Sequence, residues 1–184
     1  MSEQRDRMLT GQPYDPFVPA LIADRQRAAL LTERYNATGV PADDERAKIL
    51  RELFGEVGEG VVINPTLRCD YGYTVSIGAR SFINYDAILL DCARITIGAD
   101  VQLGPRVQLL TALHPLDGQA RRTGVETAEP ITIEDGVWLA AGVIVCPGVT
   151  IGADTVVGAG SVVTRDLPAR VLAVGNPARV VRPV

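Results

Sequence analysis

From Ile133 onward a branched apolar residue returns at every sixth position: Ile133, Leu139, Val145, Ile151, Val157 and Val163. The same spacing runs upstream through Ile77, Ile83 and Leu89, then through Ile97, Leu103 and Leu109 after a two-residue insertion around Cys92. Glycine directly follows Ile151 and Val157, and the stretches between apolar positions are turn-like, as in Glu134-Asp135-Gly136 and Cys146-Pro147-Gly148. A period of six residues matches neither an α-helix nor an isolated alternating strand. It fits an all-β solenoid, a parallel β-helix in which one hexapeptide forms one flat face and three close a triangular coil. The apolar residue of each hexapeptide points to the axis, and stacked coils bury a continuous column. On this register Ile151 and Val157 face inward, whereas Glu134 and Thr155 are expected on outer faces.

The repeat breaks once at length. Ile133 follows Leu109 by twenty-four positions, and most of the intervening segment, Thr111 to Gly124 above all, is polar, glycine-punctuated and basic at its centre. Residues 111–130 therefore read as a loop thrown out from one corner of the prism. Long loops in compact domains are functional or disordered. This one opens with His114, the single histidine of the chain. A lone histidine is by default a surface residue, but its place at the mouth of the one large excursion from a rigid scaffold makes it a candidate for chemistry.

Composition narrows the function. Apolar residues make up 47 % of the 184 and aromatic ones 5 %, as a narrow aliphatic core requires. The net charge of −4 lacks the basic surplus of a nucleic-acid binder. No stretch approaches the ~18–20 apolar residues of a membrane span, and the charged start Met1 to Arg7 has no apolar run behind it, so no secretory signal is visible. Cys69, Cys92 and Cys146 are odd in number and scattered. They read as small buried hydrophobes in a cytoplasmic protein rather than as disulfides.

Residues 1–60 differ in kind and read as a helical cap. Phe17 to Tyr35 mixes Leu21, Ile22, Leu30 and Leu31 with charge, consistent with a helix. Pro41 precedes Asp43-Asp44-Glu45, acids suited to a helix N-terminus, and Ile49, Leu50, Leu53 and Phe54 give a second apolar stripe ended by Gly55. Two short helices are thus expected to close the open end of a solenoid spanning 61–184. Asp166-Leu167-Pro168 closes the last coil, and the tail 167–184 is expected to turn back along a face.

Five blocks carry a family resemblance: Met8 to Pro16, Cys69 to Tyr73, Phe82 to Asp86, Thr111 to Asp117, and Gly175 to Arg179, with Val137-Trp138-Leu139 beside them. In this order they resemble the maltose, galactoside and nodulation sugar O-acetyltransferases of the hexapeptide-repeat superfamily, the maltose type most. The resemblance implies a left-handed coil, a homotrimer with active sites between subunits, acetyl-CoA as donor and a sugar as acceptor. It expects Asn84 beside the acceptor or the tetrahedral intermediate, and Asp70, Asp15 and Asp91 as acceptor-binding residues, with Arg25 possible on the first helix. Ala141, Ala159 and Gly160 match the small positions that seat pantetheine, with Trp138 as a wall. Thr164, Arg165, Arg179 and Arg182 correspond to the adenosine end, where arginine suits phosphate. In the trimer, His114 and Asn84 of one chain are expected to face Trp138 and Ala141 of the next. The galactoside branch has Ser at Asp70 and Asp at Cys92, which argues against copying its specificity.

Chemistry points the same way. A sugar hydroxyl attacks a thioester only as its proton is removed, and imidazole, with a reference pKa of about 6.5, is suited to that. His114 is the one imidazole available. The oxyanion that forms needs a fixed donor. The γ-class carbonic anhydrases share this solenoid but need three histidines around zinc, so no metal is expected. Two alternatives stay open: a hexapeptide acetyltransferase acting on an antibiotic hydroxyl, amino sugar or amine, and a non-catalytic solenoid scaffold.

Overall fold

The computed structural model describes residues 3–39 and 43–184, and in it the hexapeptides wind into a three-sided parallel β-solenoid. The first sheet stacks Glu56–Val57, Val75–Ile77, Ile95–Ile97, Ile131–Ile133 and Thr150–Ile151. The second stacks Val62–Ile63, Phe82–Ile83, Gln102–Leu103, Trp138–Leu139, Val156–Val157 and Val171–Gly175; the third holds Leu67–Cys69, Ala87–Leu90, Gln108–Leu110, Ile144–Val145 and Val162–Val163. The chain visits the sheets in that order on every coil.

All twelve residues of the six-residue register are buried, none more than 2 % exposed. Each such Val, Leu or Ile contributes about 1.5–3 kcal/mol by leaving water. The structure adds a second inward column two residues earlier, because alternate residues of a strand face the same side. Val101, Val107, Val137 and Val143 belong to it, and so do Ser81, Thr155 and Ser161. Thr155 is thus fully buried, not on an outer face. Its hydroxyl donates to the Pro168 carbonyl at 2.7 Å and accepts from Val171 N at 3.3 Å, which is how a polar residue fits an apolar column. Glu134 is exposed, as its register position requires.

At the prism corners the backbone turns through the left-handed region, which non-glycine residues seldom enter. Six of the described residues do so, and they pair between neighbouring coils by charge: Arg80 with Asp100, Arg106 with Asp86, and Arg170 with Asp154.

Among the described residues the cap contains three helices rather than two: α1 (Glu3–Leu9), α2 (Pro19–Asn36) and α3 (Asp43–Leu53). Helix α1 is too short to show an apolar stripe; buried Met8 and the Arg5–Asp24 pair, at 2.8 and 2.7 Å, fix it to α2. Pro41 lies outside the described residues. Asn36 closes the edge of the third sheet by donating to the Leu67 carbonyl and accepting from Leu67 N, as a strand would. Ile49, Leu50 and Leu53 of α3 pack into the same core as Ile63 and Leu67. The sheets begin at Glu56, slightly before Val61, since Val57 already pairs with Ile77. At the far end Ala178–Pro183 runs antiparallel to Val171–Gly175, so the tail does turn back, as the last strand of the second sheet.

Candidate active site

The coils are not equal in length, and the difference locates the site. Ile133 stacks on Ile151 eighteen residues later, whereas Val57 stacks on Ile77 and Ile77 on Ile97, twenty residues apart. In the two long coils the extra residues fall where the third sheet returns to the first, around Asp70–Tyr73 and Asp91–Arg94. The next coil throws out residues 111–130 at that same edge.

Asp91 organises this edge. It is fully buried, and its carboxylate accepts from the backbone amides of Asp70, Tyr71 and Gly72 at 2.7–2.9 Å and from the Thr74 hydroxyl. Burial raises its pKa, opposed by those hydrogen bonds. Asp91 therefore shapes the Asp70 turn from beneath and does not face an acceptor. Above it a cavity of about 210 Å³ is lined by Pro16, Phe17, Arg25, Asp70, Tyr71, Cys92 and Glu126. Arg25 donates to the Tyr71 hydroxyl and the Pro16 carbonyl, both at 2.7 Å, so it belongs to the cleft and is not a free helix arginine. The Asp70 carboxyl is held above its ordinary pKa by burial and by Asp91, and Cys92 Sγ donates to it at 3.7 Å. Burial, aided by Asp70, pushes the Cys92 thiol up to about 12, so it is a neutral wall rather than a nucleophile.

The extruded segment is ordered by its own hydrogen bonds. Ala112–Leu113 pairs antiparallel with Thr127–Ala128, and Asp117 caps the short helix α4 (Gly118–Arg121) by accepting from Ala120 N. His114 stands just beyond the first strand of this hairpin, with its side chain 56 % exposed and Nε2 lying 3.9 Å from Glu126 Oε1. Glu126 Oε2 accepts from the buried Tyr14 hydroxyl at 3.0 Å, and the main chains of Tyr14 and Glu126 exchange two hydrogen bonds. The Tyr14 arm, the hairpin and the pocket wall thus meet at one glutamate. Sequence reading passed over Glu126: only the antiparallel pairing returns it to His114, and nothing in its neighbours announces that. Asp15, expected at the acceptor, is exposed beside the pocket and turns its carboxylate back onto Phe17 N at 2.9 Å.

Asn84 lies elsewhere. It sits where the second sheet turns into the third, at the opposite edge of the third sheet from the hairpin. A three- to four-residue strand separates the two edges, on the order of 10–13 Å. Asn84 and His114 of one chain therefore stand at different edges of the third sheet, whereas the resemblance grouped them together opposite Trp138 and Ala141 of the next chain. Stacked above Asn84, Arg106 N donates to the Tyr85 carbonyl, Gly142 N to that of Pro105 and Gly160 N to that of Ala141. Asn84, Ala141, Ala159 and Gly160 thus share one edge. Gly142 and Gly160 there have φ of 69° and 68°, and a Cβ on either would meet nothing within 4 Å, so the edge is open for a ligand to lie along. Trp138 is half exposed on the outer face of the second sheet that leads to this edge. The proposed phosphate set divides: Thr164 and Arg165 follow the last strand of the third sheet on the His114 edge, Arg179 pairs opposite Val174, and Arg182 opposite Leu172.

Asn84 Oδ1 accepts from Tyr85 N at 2.8 Å and from Asn64 Nδ2 at 3.3 Å. With its oxygen fixed, its own Nδ2 is left as an oriented donor. Among the described residues no three His, Cys, Asp or Glu side chains converge as metal ligands.

Comparison with known proteins matches this architecture. The maltose acetyltransferase hexapeptide capping motif covers residues 7–58, and the bacterial transferase hexapeptide family covers 130–165. Nodulation protein L of Rhizobium meliloti is 45 % identical over 177 residues, 96 % of this chain and 97 % of that one. A maltose O-acetyltransferase crystal structure from Clostridium difficile superposes with a TM-score of 0.98 at 44 % identity, covering 100 % of this chain and 98 % of the other. A hexapeptide-repeat acetyltransferase from Vibrio cholerae, crystallised with acetyl-CoA, gives a TM-score of 0.92 at 40 % identity over 100 % and 98 % of the two chains. With a helical cap of the maltose type on a left-handed parallel β-helix, the chain belongs to the maltose-, galactoside- and nodulation-type hexapeptide-repeat acetyltransferases.

Proposed function

We propose that the protein moves an acetyl group from acetyl-CoA to a hydroxyl of a sugar, with His114 as general base, in a homotrimer whose sites lie between subunits. The observation that carries this is the exposed His114 imidazole 3.9 Å from Glu126, which lines one cavity with Asp70; both carboxylates are of the kind that accepts hydrogen bonds from sugar hydroxyls. Exposed Phe17 offers the apolar face of a sugar ring a surface at the same cavity.

In the reaction His114 takes the hydroxyl proton as the oxygen attacks the thioester carbon, and the new C–O bond gives a tetrahedral oxyanion. Asn84 Nδ2 of a second chain donates to that oxyanion. The C–S bond then breaks, and the imidazolium returns its proton to the departing coenzyme A sulfur. Glu126, 3.9 Å away, attracts the imidazolium while it exists. The donor arm lies along the open edge at Ala141, Ala159 and Gly160, with Trp138 beside it and Thr164, Arg165, Arg179 and Arg182 available to its phosphates. Free thiols at Cys69, Cys92 and Cys146 support a cytoplasmic setting.

A panel of mono- and disaccharides with acetyl-CoA, read by thiol release, tests the reading. A His114→Ala chain should lose about 10²–10⁴-fold in turnover while still binding acetyl-CoA. Turnover near the wild-type level in that variant removes His114 from the mechanism.

A further inference from the structure

The apex of the extruded hairpin is held by a residue that none of the chemistry above uses. Arg121, the last residue of α4, folds back so that one guanidinium nitrogen, Nη1, donates to the Pro115 carbonyl at 3.0 Å and to the Leu116 carbonyl at 3.2 Å. These are the two peptide groups immediately after His114. Leu116 itself is 97 % exposed, the most exposed large apolar side chain among the described residues. Both hydrogen bonds are exposed, so they add little net stability; their effect is on the direction of the chain. The rest of the apex is already satisfied locally: Asp117 caps α4, and Thr123 N and the Thr123 hydroxyl donate to the Ala120 carbonyl. What Arg121 adds is a fixed direction for residues 114–116.

We propose that Arg121 is a positioning residue for His114, clamping the hairpin apex so that the imidazole meets the donor edge of a second chain in one orientation. The inference rests on the reading of His114 as the transfer base. Because Asn84 and the donor edge lie across the third sheet, His114 has to act away from its own coils, at the end of a projecting hairpin. Misplacement by about 1 Å at such a position costs on the order of 10²-fold in rate. The Tyr14–Glu126 contacts hold the base of the hairpin, and the Arg121 clamp ties residues 114–116 beyond it.

The single histidine makes the test direct, since the imidazole resonances of the tag-free protein can come only from His114. In the wild type the imidazole should relax like the body of the protein. Arg121→Ala should give it fast local motion, with an order parameter below about 0.6. The same variant should lower kcat by roughly 30–100-fold with the best sugar of the panel, with the KM for acetyl-CoA and the melting temperature unchanged. Because both contacts come from one nitrogen, Arg121→Lys should restore the rigid signal and most of kcat. Unchanged imidazole relaxation and unchanged kcat in Arg121→Ala, with His114→Ala inactive, overturn the clamp and leave the base in place. An active His114→Ala protein instead removes the base, which is a different failure.

Discussion

Glu126 Oε1 lies 3.9 Å from His114 Nε2 while the other oxygen of the same carboxylate is held by the buried Tyr14 hydroxyl. Twelve positions separate the two side chains in sequence, and the antiparallel pairing of Leu113 with Thr127 brings them together. The carboxylate is oriented from the cap and directed at the imidazole on the hairpin, so the cap reaches the imidazole through the Tyr14–Glu126 contact. Glu126→Gln should reduce kcat about 5–20-fold, equivalent to roughly 1–2 kcal/mol of lost charge stabilisation. Tyr14→Phe, which frees the carboxylate without removing it, should cost less. Steady-state kinetics in which Glu126→Gln equals wild type would show that the glutamate is a bystander.

The separation of Asn84 from His114 sets up a complementation test. His114→Ala chains and Asn84→Ala chains should each be nearly inactive alone. Refolded together in equal amounts, they should recover up to about a quarter of wild-type activity, because some interfaces then pair one intact edge with the other. Mixed oligomers without recovery would place both groups in one chain's site, and a monomer in light scattering would reject the arrangement altogether.

The inward column makes a test of register. Ile151→Asp and Val157→Asp should abolish folding, since an unpaired carboxylate would enter an aliphatic stack. Thr155→Asp should fail too, whereas a neutral change at exposed Glu134 should be tolerated. Thr155→Val keeps the shape but strands the Pro168 carbonyl and Val171 amide, at a cost of about 1–3 kcal/mol in denaturant melts. A Thr155→Asp protein that melts like wild type means the second column is misassigned.

Asp70 trades stability for its place in the cleft. Its folded-state pKa is raised, so the native protein binds more protons there than the unfolded chain. Stability from this group therefore falls as pH rises from the unfolded value, about 3.9, through the raised folded value, and the penalty is complete above both. Asp70→Asn should raise the melting temperature at pH 7, show a smaller gain near pH 3.5, and weaken sugar binding. A lowered melting temperature at pH 7 would mean that the carboxylate is stabilised in the fold after all.

The solenoid was legible in the spacing alone, because a six-residue period has one economical solution: each apolar residue must reach the axis, and each coil must bury the one before it. It also located the extruded loop and its histidine, since both are breaks in a local pattern. Thr155 was misplaced because one apolar position per hexapeptide is visible as a repeat, while the second column accepts Ser and Thr whose hydroxyls find main-chain partners only in three dimensions. Helix α1 was hidden by its brevity, its stability coming from Arg5–Asp24 and the burial of Met8 rather than from a stripe. The site depended on tertiary structure most of all. Asp91 looks in sequence like any acid near a turn, and only its three amide contacts show that it builds the cleft from below. Asn84 and His114 fall in neighbouring coils of the sequence, yet the three-sided winding sends them to different edges. Hexapeptide spacing fixes which residues face the axis; which edge each turn occupies follows from how many residues every coil spends on its corners.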